Sequence, residues 1–247
     1  MASAPFFAVV AGAGPGTGRA VALKFAKTYA VVVLARSPES YNDTVAEIKK
    51  AGGHALGIST DVADAASVNS AFETIKKELP GSKLAAAIFN VSGGFAKKPF
   101  LELKPEELDD SLDVAVRGFA RFAQSSLPLL LESVPDSPHP PSLLLTGATA
   151  SVKGSAHFGS FAAGKFALRA LGQSLAREFG PQGVHVAHII VDGIIDIPRT
   201  KHLNPPSGAE DAKLKPEAIA ESYWHLHTQH RSAFTQEIDI RPYVEKW

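Results

Sequence analysis

Cysteine is absent from this chain, and that absence removes disulfides, zinc–thiolate sites and cysteine nucleophiles together. It leaves the redox compartment open, because a chain without thiols tolerates either state. Net charge is absent too: 25 Lys and Arg balance 25 Asp and Glu. A broad grip on nucleic acid needs an excess of cations, so none is expected here. The same balance argues against an anionic membrane surface as partner. Long apolar runs are missing as well. None approaches the roughly 18 residues of a membrane-spanning helix. The first run, Phe6–Ala11, stops at Gly12 with no basic segment ahead of it. That start reads as a strand rather than a secretory leader, and the final VEKW is not a short targeting tail. The expectation is a cytoplasmic protein.

What is present suffices for a large core: 45% of the 247 residues are hydrophobic. Short apolar runs predict strands at Phe6–Ala11, Val31–Ala35, Ala55–Ser59, Leu84–Asn90, Leu143–Thr146 and Val184–Val191, with a last one at Phe234–Ile240. Helical patterns lie between them, at Gly16–Tyr29, Ser40–Ala51, Ala65–Leu79, Pro105–Leu131 and Ser155–Phe179. Strands apolar on both faces need cover on both faces. Alternation with helices therefore predicts a doubly wound α/β domain with a parallel sheet of about seven strands. Ser40 and Asp64 stand where N-caps belong, and Gly52-Gly53 and Gly180-Pro181 where helices end. No second zone of composition appears, so one domain over residues 1–247 is expected. A proline-rich stretch, residues 198–216, follows the sixth strand, and the segment near 194–230 is expected on the substrate side, as a lid or as a surface insertion.

Chemistry is suggested first by Gly12, Gly16 and Gly18, directly after a strand and at the start of a helix. Glycines let backbone approach a pyrophosphate, and a helix N-terminus offers unpaired N–H groups and partial positive charge. At the end of the second strand, Arg36-Ser37 stands where an acidic residue would bind ribose hydroxyls. An Arg there suits a 2′-phosphate, so NADP is expected over NAD. Asp61-Val62, after the third strand, can accept from an adenine amino group or simply form a turn. The histidines of Trp224–His230 do not share one helical face, and no carboxylate completes a set, so no metal is expected.

The glycine spacing, Asp61-Val62, Asn90-Val91-Ser92-Gly93 and Lys165 within Phe161-Ala162-Ala163-Gly164-Lys165 together resemble the short-chain dehydrogenase/reductase family from residue 6 to about residue 195. The resemblance implies a Rossmann-type single domain, a nicotinamide cofactor, a small-molecule substrate, and a homodimer or homotetramer. It implies that Asn90 and Gly93 steady the sheet and pass the cofactor, and that Lys165 binds the nicotinamide ribose. The departures carry as much information. The family's usual proton-donating Tyr corresponds to Phe161, its substrate-binding Ser to Ala148, and its water-holding Asn to Ala115. The usual Pro-Gly after the sixth strand is Asp192-Gly193, and a later Thr is Ile197. Phe161 and Ala148 offer no proton, so neither can act as general acid or oxyanion partner. Substitutes within reach in sequence are Thr149, Ser155, His157, Asp192 and Asp196, with Arg117 as an unusual cation on a helix face that otherwise reads as buried, each with an ordinary structural reading beside it. Lys165, Asp192 and His157 are the expected catalytic set. Three readings remain open: a reductase of an electrophilic carbonyl-like or imine-like compound, an inactive NADP-binding regulator or scaffold, and a cofactor-dependent isomerase or cyclase.

Overall fold

Residues 4–205 and 208–245 are described by a computed structural model. Strand β1 (Phe6–Ala11) shows how the sheet forms. Phe7, Val9 and Ala11 point to one face, Ala8 and Val10 to the other, and both sets are buried. A strand with apolar side chains on both faces gains stability only with layers on both sides. The other strands are β2 (Ala30–Ala35), β3 (Ala55–Ser59), β4 (Lys83–Phe89), β5 (Ser142–Ala148), β6 (His185–Val191) and β7 (Glu237–Ile240). They form one parallel sheet in the order β3-β2-β1-β4-β5-β6-β7. This is a Rossmann-type doubly wound sheet, with its crossover between β1 and β4.

The helices are α1 (Thr17–Phe25), α2 (Asn42–Lys50), α3 (Ala65–Glu78), α4 (Pro105–Leu112), α5 (Gly118–Ser133), α6 (Gly159–Phe179) and α7 (Pro216–His227). Phe72 of α3 and Phe119 and Phe122 of α5 pack with Phe89 on one face. Phe25 of α1 and Tyr223 and Leu226 of α7 pack on the other.

Several boundaries differ from the sequence reading. Asp64 does cap α3, accepting from the Ala66 N–H at 2.9 Å. Ser40 does not cap α2: Pro38–Ser40 form a 3-10 turn and Tyr41 occupies the cap without a side-chain bond. Gly52, at φ +84°, ends α2 as expected, with N–H bonds from Gly52 to Lys49 and from Gly53 to Ile48. Gly180 instead continues a 3-10 turn after α6, and Gly183 takes the left-handed conformation. The stretch expected as one helix from Pro105 to Leu131 contains a π turn at Asp113–Arg117, which separates α4 from α5. Within the stretch 198–216, Leu214 forms an isolated parallel bridge with Ile195, in the segment after β6. Pro206 and Ser207 of that stretch lie outside the described residues. Among the described residues no helix is long and apolar enough to cross a membrane.

Candidate functional site

The strand order reverses between β1 and β4, and in doubly wound sheets ligands bind at the C-terminal strand ends beside such a reversal. Gly12 ends β1 at φ +84°, and a Cβ there would lie 2.6 Å from the Asn90 carbonyl oxygen. A Cβ on Gly18 would run into the Gly12 carbonyl oxygen. These two glycines let the turn close and let α1 start directly against β1. No side chain caps the N-terminus of α1. The buried Thr17 Oγ1 has no partner among the described residues, and the space around Gly14 is open. An uncapped helix start, a hydroxyl without a partner and room beside a glycine fit a pyrophosphate. Ile197, on the segment after β6, lies over this turn, its Cγ2 3.1 Å from where a Gly16 Cβ would be.

A directed chain of hydrogen bonds links these strand ends. Asn90 Nδ2 donates to the Gly12 carbonyl at 2.9 Å. Thr146 Oγ1 donates to Asn90 Oδ1 at 2.9 Å. The Thr146 hydroxyl proton is then committed, so the Tyr223 hydroxyl donates to Thr146 Oγ1, at 2.5 Å. Burial raises the pKa of Tyr223 and keeps that donor neutral. The chain ties α7 and β5 to the glycine turn.

Lys165 comes from the second turn of α6. Its Nζ donates to the Thr146 carbonyl at 2.9 Å, and its side chain is buried. Burial lowers its pKa from 10.5 to about 8. Phe161, one turn earlier, sets its ring centroid 5.9 Å from Nζ. Ala115, in the π turn, packs beside Gly164. The Phe161 ring meets Phe95 edge-on at 5.3 Å, and Phe95 meets Phe158 at 5.6 Å.

The other residues expected from the sequence fall in different settings. Asp192 is buried at the end of β6, accepts from Thr149 Oγ1, and pairs with Arg241 at 2.9 Å. His157 is exposed at φ +71°, and its carbonyl accepts from the Lys98 N–H at 3.0 Å. Arg36 is exposed at the end of β2. Asp61 turns onto the Ala63 N–H at 2.9 Å. Val62 is buried, and Gly118 packs against its side chain. Gly93 packs on Ser111 of α4. Thus Gly12, Asn90 and Lys165 converge through Thr146, while Asp192 is engaged with Thr149 and Arg241, and His157 lies in an exposed turn. Thr146, Tyr223, Arg241 and Phe95 were not singled out from the sequence. Thr146, as the one hydroxyl at the end of the apolar run Leu143–Thr146, carried a signal. Tyr223 and Arg241 carried none, because their partners are distant in sequence. His227 does not face solvent: it lies between Ser142 Oγ at 2.7 Å and Tyr29 OH at 2.9 Å.

Comparison with known proteins agrees with this architecture. The family described as short chain dehydrogenase matches residues 7–207. The chain is similar to the short-chain reductase protein NovJ of Streptomyces niveus, at 30% identity over 95% of this chain and 87% of that protein. It superposes on the crystal structure of a short-chain dehydrogenase from Rhodopseudomonas palustris with a TM-score of 0.80 and 32% identity, covering 97% of this chain and 99% of the other. A metagenomic short-chain oxidoreductase in complex with NADP shares the fold at a TM-score of 0.79 and 22% identity, covering 98% of each chain.

Proposed function

This chain belongs to the short-chain dehydrogenase family, and from that premise we propose that it is an NADP(H)-dependent reductase of an electrophilic carbonyl-like or imine-like small molecule, working without the usual tyrosine acid. The observation that carries the reading is the convergence of the glycine turn, Asn90, Thr146 and Lys165 at one end of the sheet. Bound there, the nicotinamide would supply a hydride. The uncapped start of α1 would hold the pyrophosphate, and Arg36 the 2′-phosphate. Lys165 would hold the nicotinamide ribose, with its ammonium already fixed by the Thr146 carbonyl. Asp61 and Val62 would border the adenine, and Gly93 the passage beside Asn90. Ile197 and the segment 194–230 would cover the turn from the substrate side.

Phe161 occupies the place of a proton donor and Ala148 that of an oxyanion partner. Losing a positioned acid costs about 10²–10⁴ in rate on a substrate that needs one. The reading therefore requires a substrate whose hydride adduct is stable without immediate protonation. Asp192, held by Thr149 and Arg241, and His157, in its exposed turn, are the groups this reading would call on in place of that acid. The same absence of an acid favours a second reading, an NADP-binding protein without turnover.

Cofactor titration tests the proposal. NADPH should bind more tightly than NADH, and Arg36→Ala should narrow the difference by roughly one to two orders of magnitude, the worth of one charge-assisted hydrogen bond. Equal affinity of the native protein for both cofactors would remove the role of Arg36. Tight NADPH binding with no turnover on carbonyls, imines or enones would favour the second reading.

A further inference from the structure

We infer that His188 is a positioning residue for Lys165: its ring, fixed by Glu237 and Arg169, turns a bare Nε2 to the end of β5 and so holds the ammonium where the nicotinamide ribose would bind. The inference rests on the proposed role of Lys165 and adds the groups that prepare that lysine. His188 of β6 stands opposite Leu145 of β5 and Glu237 of β7 in the sheet register. Residues two apart share a face, so Gly147 joins Leu145, and Gly147, His188 and Glu237 form a row across the strands. Helix α6 covers this face, with Gly172 on Leu145 and Arg169 reaching Glu237. Lys165 lies one helical turn before Arg169.

Glu237 accepts from Arg169 Nε at 2.7 Å, from Arg169 Nη2 at 2.8 Å and from His188 Nδ1 at 2.9 Å. A carboxylate only accepts, so Nδ1 carries the imidazole proton and Nε2 keeps its lone pair. Nε2 is fully buried and has no hydrogen-bond partner among the described residues. It faces Gly147: a Cβ there would run into Nε2 and lie 2.9 Å from Ser151 Oγ, which accepts from the Ala148 N–H at 3.1 Å. Gly147 follows Thr146, whose carbonyl accepts from Lys165 at 2.9 Å. A buried acceptor without a donor costs stability, so the ring needs a reason to be there. With Nδ1–H on Glu237, the negative end of the imidazole dipole lies toward the strand end that carries the ammonium. Burial lowers the pKa of His188, and Lys165 and Arg169 add to that effect against Glu237, so the ring stays neutral. Arg169 on α6 and Glu237 on β7 are the other charged groups of this row, and they pair with each other. A protonated or reversed ring would turn a positive edge on the lysine. The fixed tautomer therefore supports the ammonium where burial opposes it.

The test follows Lys165 itself in the full cofactor-free chain, through the 13Cε resonance that Lys165→Met removes, with circular dichroism as the check on folding. His188→Asn keeps a donor for Glu237 and places no atom at Nε2, whereas His188→Gln places an amide oxygen there. The lysine titrates at about 8 in the native chain, and that midpoint should fall by roughly half a pH unit or more in His188→Asn and stay near native in His188→Gln. The NADPH Kd at pH 7.5 should rise about tenfold in His188→Asn and about twofold or less in His188→Gln. Glu237→Gln should lower the midpoint in the native background and add nothing to His188→Asn, because it acts through the ring. A merely structural role would weaken the fold in both His188 variants and leave the lysine midpoint where it is. An unchanged midpoint in His188→Asn, or equal shifts in both His188 variants, would overturn the inference. If His188→Asn does not fold, an unchanged midpoint in Glu237→Gln would overturn it instead. The midpoints need no cofactor, so the inference can fail while NADPH binding stands. A native chain that does not bind NADPH would overturn the reductase reading and this inference with it.

Discussion

Replacing Lys165 by methionine should make the cofactor-free protein more stable, with a pH dependence that identifies the cause. Burial lowers the pKa of Lys165 from 10.5 to about 8. At about 1.36 kcal/mol per pH unit, that difference is worth roughly 3 kcal/mol. The folded value lies below the unfolded one, so between pH 8 and 10.5 the unfolded chain binds more protons and stability rises with pH. Below about pH 8 the lysine is charged in both states, and the full cost of burying the ammonium weighs on the fold. Lys165→Met removes that cost and also removes the bond to the Thr146 carbonyl, worth about 1 kcal/mol. The net gain near pH 7 is about 2 kcal/mol, or roughly 4–8 °C in Tm for a chain of this size. Toward pH 10.5 the gain should vanish and turn into a small loss. Urea unfolding of both proteins at pH 7, 8.5 and 10, followed by circular dichroism, measures this. A variant less stable than the native chain at pH 7, or a difference constant across pH, would refute the reasoning. The same variant should bind NADPH more weakly, so that stability rises as function falls.

Acid should weaken the fold through His227, whose burial lowers its pKa from 6.5 to about 3. The unfolded chain takes up a proton that the folded chain refuses, so about 2 kcal/mol should be lost from pH 6.5 to pH 5. Urea unfolding should show a smaller loss in His227→Gln, and an equal loss would clear this residue. Arg241→Ala should cost about 3 kcal/mol, because it leaves Asp192 buried without its cation. The double variant Arg241→Ala with Asp192→Asn should recover most of that loss, and a double-mutant cycle with no coupling would show the pair to be inert. Phe161→Tyr with Ala148→Ser should not create useful reduction of simple ketones, since the new phenol enters an aromatic cluster and costs about 1–3 kcal/mol if its hydroxyl finds no partner. A double variant that reduces ketones and keeps the native reaction would mean that the site had merely lost its acid.

The sequence by itself determined the layers and the place of the glycine turn between β1 and α1. Apolar strands such as Phe6–Ala11 and Val31–Ala35 carry their own instruction, because residues two apart share a face and both faces are apolar. Gly12 and Gly18 are legible for the same local reason: the positive φ and the tight start of α1 need a missing side chain. Phe161 and Ala148 are equally plain, since a residue type without a proton has none in any fold. Boundaries set by competition were not legible. The π turn at Asp113–Arg117 interrupts a pattern that reads as one helix, at the place where Ala115 packs against α6. What only the tertiary structure decided is who meets whom across long stretches of chain. Asp192 reads as a free acid until Arg241, beyond β7, is folded beside it. Thr146 becomes the hub of the site only when Asn90, Lys165 and Tyr223 converge on it from β4, α6 and α7. Local propensity acts over a few residues, whereas desolvation and hydrogen bonding at a site are set by elements that the sheet order brings together.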